Sequence, residues 1–158
     1  MMKEKYKSIS FVGLSEQYQI LKNEINSAIS NVLLHGNFIN GPEVKDLEQK
    51  LAEFSSAKRV VTCASGTDSL LLPLMAWGVG KGDAVFVPSF TFVATAEVVA
   101  LLNASPVFVD VEEDTFNMSP QSLFEAIEFA KTKGLVPKVV IPVDLFGQPA
   151  CYDKINAL

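Results

Sequence analysis

Ser65-Gly66-Thr67 is the segment of this chain best suited to hold an anion. It follows the β-rich run Arg59-Val60-Val61-Thr62 and leads into the apolar run Leu70-Leu71-Leu72-Pro73-Leu74-Met75. That order reads as strand, tight small-residue turn and helix start. The first N–H groups of a helix lack partners and the helix dipole is positive there, so such a turn can seat a phosphate. A phosphate monoester would gain further from the Thr67 hydroxyl. Downstream, Val87-Pro88-Ser89-Phe90-Thr91-Phe92 puts aromatic rings at the end of a second predicted strand. A ring at Phe92 could stack on an aromatic group and fix its plane. A phosphate seat and an aromatic ring at consecutive strand ends suggest a flat phosphorylated cofactor, with pyridoxal phosphate the first candidate.

Plainer readings stand beside these. Ser65-Gly66-Thr67 also fits a helix cap with no ligand, since Ser and Thr are common caps. Phe92 could be core, as most aromatics are, and Phe86, Phe90, Phe108 and Phe116 are assigned there. Neither G-x-G-x-x-G nor G-x-x-x-x-G-K-[ST] occurs, which counts against a dinucleotide site or a P-loop. His35 is the only histidine, and nothing at ligand spacing accompanies it, so no metal site is proposed. Its place is the bend between the first two helices. Asp68 supports the helix start. Asp110, Glu112, Glu113 and Asp114 read as a solvated acidic loop.

The elements that must position these residues follow from periodicity. Leu14, Tyr18, Leu21, Ile25, Ala28, Ile29 and Val32 recur at helical spacing, predicting a helix over 14–34 that ends near Gly36. Pro42 suits the first position of a second helix, whose stripe is Val44, Leu47, Leu51 and Phe54. The rhythm then becomes strand, turn, helix. Strands are expected at 59–63, 84–87, 106–111 and 138–143, and helices at 67–77, 92–103 and 120–133. Pro73 conflicts with the first of these helices, which must bend or start later. A further helix opens at Cys151 without a stop signal, and the chain reads as the front part of a longer protein. The expected fold class is α/β, a mostly parallel sheet with helices on both faces. Residues 1–57 form an N-terminal helical segment, and 58–158 the first part of an α/β domain. Such sheets bind ligands beyond the carboxyl ends of their strands, where the 65–67 turn and Phe92 both fall.

Composition narrows the class. The 158 residues are 49% hydrophobic and 20% charged, the balance of a folded protein with a real core. Net charge is −5 and the basic residues do not cluster, which sets aside a nucleic-acid surface. Cys63 and Cys151 lie far apart without a C-x-x-C partner, so the simplest inference is reduced thiols in the cytosol. The N-terminus has no apolar signal core, and no stretch has the length of a membrane span.

Five segments, in one order, resemble the N-terminal part of the DegT/DnrJ/StrS sugar aminotransferases, pyridoxal-phosphate enzymes of fold type I. They are HGNFINGPEV (His35–Val44), ASGTDSL (Ala64–Leu70), GVGKGDAVFVPSFTFVATAE (Gly78–Glu97), PVFVDVEEDTFNMSP (Pro106–Pro120) and IPVDLFGQPA (Ile141–Ala150). The resemblance implies pyridoxal 5'-phosphate as cofactor. It assigns Gly66 and Thr67 to the phosphate turn, with Ser65 and Asp68 beside it, and Phe92 to stacking on the ring. It places His35–Val44 near the active site at a dimer interface. It implies a homodimer with shared active sites that moves an amino group, commonly from glutamate, to a nucleotide-linked keto sugar, and the expected location is cytoplasmic, from the thiols. UDP-linked acetamido keto sugars are the nearest substrate class. Ser69, where Ala is usual, and Cys151, where an acidic residue is common, depart from the pattern. In the family the Schiff-base lysine comes later in the chain. None of the lysines here matches its motif, so no catalytic residue is assigned and the chain alone is expected to be inactive. A sugar dehydratase of the same family, a non-catalytic truncated protein and an unrelated phosphate-binding α/β domain remain alternatives.

Overall fold

The computed structural model describes residues 11–158. It contains two compact units, one ending at Thr62 and the other spanning Cys63–Leu158.

In the first unit, α1 (Leu14–His35) stops where Gly36 enters the left-handed region at φ 69°, as helix ends often do. Helix α2 (Pro42–Ser55) starts with proline at N1 after an extended Gly41. A Cβ on Gly41 would collide with the carbonyl oxygen of Asn37, so only glycine fits that bend. His35 does sit in the bend. Its Nε2 lies 2.9 Å from Glu43 Oε1, and its Nδ1 accepts the Asn37 N–H at 3.0 Å. The His35 hydrogen bond, followed by one from the Glu43 backbone, holds the Glu43 carboxyl below its usual range.

The strand expected at 59–63 does not form. A strand exists only where a neighbour accepts its ladder, and no strand lies beside this segment among the described residues. Thr62 instead donates its N–H and its hydroxyl to Glu48 Oε1, at 2.8 and 2.9 Å. The backbone N–H of Thr62, then its hydroxyl, lowers the Glu48 pKa. A folded pKa below the unfolded one gives stability that is complete above the usual carboxylate value of 4.5 and lost as pH falls through the lowered value. Acidification through that window is therefore expected to free the Thr62 amide, seen as faster hydrogen exchange. Glu48→Gln should reproduce the fast exchange at neutral pH and remove the pH dependence. An unchanged dependence in that variant would assign it to another group.

In the second unit, α3 (Gly66–Ala76), β1 (Asp83–Pro88), α4 (Ala94–Leu101), β2 (Ser105–Val109), α5 (Pro120–Thr132), β3 (Val136–Val140) and α6 (Tyr152–Ile155) follow in turn. The strands form a parallel sheet in the order β2-β1-β3. Strand β1 is central, and its side chains alternate between two cores, as the period of two requires. Val85 and Val87 pack with Leu74, Val79, Val98 and Val99 under α3 and α4. Ala84 and Phe86 pack with Met118, Leu123, Ala130 and Ile155 under α5 and α6. The central strand is thus covered on both faces, as its apolar sequence predicts, whereas the outer strands are partly exposed.

Several boundaries differ from expectation, each for a local reason. Strand β3 begins two residues early and ends at Val140 rather than 143. Ile141 still donates to Phe86 O at 2.8 Å, and the pairing with β1 stops there. The register slips between Ala84 and Val85, opposite Pro137 and Val139, so Lys138 is the extra residue. Strand β2 ends at Val109, and Val111 makes only an isolated antiparallel bridge to Met118. Helix α4 is shorter than 92–103 and leaves Phe92 in the preceding loop. Helix α6 is one short turn. Pro73 neither delays nor ends α3. Pro73 and Ser69, whose carbonyl it cannot serve, are both exposed, so water can take that bond.

Only one of the four phenylalanines assigned to the core lies there. Phe86 is 1% exposed, whereas Phe90, Phe108 and Phe116 are 51, 62 and 42% exposed. Phe108 lies on an outer strand, opposite Val87. Phe90 and Phe116 lie in strand-end loops, their ring centroids 5.4 Å apart.

Candidate functional site

The loops at the carboxyl ends of β1 and β3 and the start of α3 enclose one cleft. Gly66, Thr67, Phe92, Thr95, Ile141 and Val143 are among its lining residues, and its volume is about 480 Å3. The structure therefore brings the adjacent Gly66 and Thr67 together with Phe92, which lies well downstream in the sequence.

The local chemistry of α3 explains what its first turn offers. Ser65 is the N-cap: its Oγ accepts the Asp68 N–H at 3.1 Å and donates to Asp68 Oδ2 at 3.0 Å. Ser69 N–H closes the turn on Ser65 O at 3.0 Å. This reciprocal cap leaves the N–H groups of Gly66 and Thr67 with no protein acceptor among the described residues. The Thr67 hydroxyl is likewise without a hydrogen bond to described residues, and its side chain is half-buried at the cleft. Ser65 is not among the residues that line the cleft, and its hydroxyl is engaged with Asp68.

Gly66 carries a second message. Its φ is not in the left-handed region, and a Cβ built there would meet nothing within 4 Å. Neither backbone strain nor crowding by the protein requires glycine at this helix start. Open space over two free N–H groups suits a ligand that must approach the backbone closely.

Across the cleft, Phe92 presents a ring that is 75% exposed. It is fixed by its backbone, whose carbonyl accepts Thr95 N–H at 3.2 Å as α4 begins. Among the described residues none that lines the cleft is charged, so the favourable potential they offer an anion comes from the α3 dipole and its N–H groups. Asp68 is the nearest charge on that turn, and its carboxylate is engaged with Ser65.

Sequence reasoning missed the remaining wall. Thr91, Thr95 and the Ile141–Val143 segment all line the cleft. The repeated Thr-x-x-x-Thr spacing across Phe92 was a usable signal for the first two. Nothing local marks Ile141–Val143, which were assigned to a strand. The acidic residues Asp110, Glu112, Glu113 and Asp114 are exposed and lie outside the cleft. Among the described residues no group of three or more His, Cys, Asp or Glu could hold a metal ion. No described helix is long and apolar enough to cross a membrane.

Comparison with known proteins adds the following. The model of the DegT/DnrJ/EryC1/StrS aminotransferase family matches residues 19–158. The chain is 49% identical over 150 residues to the UDP-2-acetamido-2-deoxy-3-oxo-D-glucuronate aminotransferase of Pseudomonas aeruginosa, covering 95% of this chain and 40% of that protein. A crystal structure of a DegT DnrJ EryC1 StrS aminotransferase from Brucella abortus superposes with a TM-score of 0.92 at 51% identity, over 95% of this chain and 40% of the other. The structure of NtdA from Bacillus subtilis with bound cofactor PMP superposes with a TM-score of 0.81 at 27% identity, over 98% of this chain and 35% of the other. The chain thus spans about 40% of the length of the curated relative it matches.

Proposed function

Because the chain belongs to the DegT/DnrJ/EryC1/StrS aminotransferase family, we propose that its cleft holds pyridoxal 5'-phosphate and that the whole protein transfers an amino group to a nucleotide-linked keto sugar. One observation carries the reading: Gly66, Thr67 and Phe92 line the same cleft. Among the described residues the donor set suits a phosphate ester, with two N–H groups and one hydroxyl that have no partner there, a helix dipole and no competing side-chain charge. The open space over Gly66 is where the ester comes closest. The Phe92 ring would stack on the heterocycle and so hold its plane. Ser65 contributes by shaping the turn, its hydroxyl remaining with Asp68.

When bound, the cofactor supplies an electron sink for charge developing beside the transferred nitrogen. The residues of this chain anchor and orient it. No described lysine lines the cleft; the family resemblance puts the Schiff-base lysine outside these residues, and the chain alone is expected to be inactive. The name of the Pseudomonas relative supports a UDP-linked acetamido keto sugar as acceptor and speaks for amino transfer over dehydration. Glutamate as donor and a homodimer rest on the family resemblance, and a cytoplasmic location on the two cysteines without a C-x-x-C partner.

Thr67→Ala in the whole protein tests the site. It is expected to weaken pyridoxal 5'-phosphate by about 1–3 kcal/mol, the scale for one charge-assisted hydrogen bond. Thr67→Ser, which keeps the hydroxyl, should restore most of the loss. Equal affinities in wild type and Thr67→Ala, measured by equilibrium titration, would remove Thr67 from the phosphate seat.

A further inference from the structure

Asn117 is one of the few polar side chains buried in this chain, at 5% exposure, and the cofactor reading does not use it. It lies in the loop after β2, yet all the side-chain bonds it makes reach the loop after β3. Its Oδ1 accepts the Leu145 N–H at 3.1 Å. Its Nδ2 donates to the carbonyls of Gln148 and Pro149, at 2.9 and 3.2 Å. A primary amide is the side chain that offers an acceptor and two donors together. Flipping it would set like against like at every contact, so the orientation is determined.

The tied loop is also held from within. Asp144 Oδ1 accepts the Ala150 N–H and the Tyr152 hydroxyl, each at 2.9 Å. Burial, and then this bond to Asp144, pushes the Tyr152 phenol up. Two residues beside the tie carry strain. Phe116 and Phe146 adopt φ values of 58° and 54°, a region unfavourable to bulky side chains. Their rings face one another edge-on at 6.5 Å. Such strain persists only where neighbours over-determine the backbone, and the Asn117 amide touches the strained loop on both sides of Phe146. The same loop begins with Ile141, Pro142 and Val143, a wall of the cleft.

We infer that Asn117 is a positioning residue: its buried amide ties the loop after β2 to the loop after β3 and so sets the wall of the cleft. Its effect on cofactor retention rests on the proposed function; the tie itself does not.

The test follows hydrogen exchange and release of pyridoxal 5'-phosphate in the whole protein, for Asn117→Ala and Asn117→Asp, with Thr67→Ala as comparator. In Asn117→Ala, exchange across 144–150 is expected to quicken about tenfold while β1 amides stay protected, the mark of local opening. Cofactor release should quicken by about the same factor, without any change at the Thr67 seat. Asn117→Asp keeps volume and the Leu145 acceptor but cannot donate, so its loosening should centre on 148–150. This variant also decides the matter if the alanine variant fails to fold. Unchanged exchange across 144–150 overturns the tie. Equal loosening of β1 in Asn117→Asp overturns it too, in favour of a general packing role. If the loop loosens and Thr67→Ala releases cofactor faster but Asn117→Ala does not, the positioning role falls. If the loop loosens while both variants retain cofactor normally, the tie stands and the cofactor reading falls.

Discussion

Gly66→Asp is expected to stabilise the fold of the protein and abolish its binding of pyridoxal 5'-phosphate. The two effects have separate causes. At N1 of α3 a carboxylate meets the positive end of the dipole, a gain of about 0.3–1 kcal/mol. Removing a glycine whose φ is ordinary restricts the unfolded chain and adds about 0.4–1 kcal/mol. No described protein atom lies within 4 Å of the new Cβ. The same carboxylate occupies the space over the free N–H groups and repels an incoming ester. Like charges about 4 Å apart at an effective dielectric of about 20 oppose each other by about 4 kcal/mol, close to three orders of magnitude in affinity. Thermal melting of the cofactor-free protein and equilibrium titration with pyridoxal 5'-phosphate read the two effects separately. A variant that melts higher and still binds with wild-type affinity would move the phosphate away from Gly66.

Phe86→Ala is expected to cost about 3–5 kcal/mol of stability, the range for deleting a buried aromatic side chain. Phe86 is 1% exposed at the centre of the sheet, against Met118, Leu123 and Ile155. Strand β1 is flanked on both sides and cannot shift to fill the void. Since whole domains are stable by only about 5–15 kcal/mol, the variant should unfold at a much lower urea concentration. Phe108→Ala, at 62% exposure, should change stability by about 0.5 kcal/mol or less. Equal urea midpoints for the two variants would contradict the core described here.

The contrast between these phenylalanines shows where sequence reading loses its grip. Residue type and strand membership were visible for both. Which face of β2 is left uncovered was not, because that depends on where α4 and α5 lie. Features with local causes were legible. Pro42 and Pro120 stand at helix starts, Gly36 stops α1, and the Ser65 to Asp68 spacing makes a cap. The parallel sheet and the place of Phe92 follow from alternation and from the rule of carboxyl ends, while the 65–67 turn joins Phe92 in the cleft although the strand expected before it does not form. The segment 59–63 had strand-like residues, but a ladder needs a partner that no local pattern can supply. Asn117 was invisible for the same reason: its partners lie 28–32 residues away.

Strand β1 has one further consequence. Its interior residues touch no solvent, and each belongs to a single side of the sheet. A methyl lost at Val87 can be made good by growth at Val98 or Leu74, but not at Leu123, which the strand screens off. Volume is therefore conserved separately on each side. Homologous chains should drift in two independent sets, with paired substitutions inside a set and none between them.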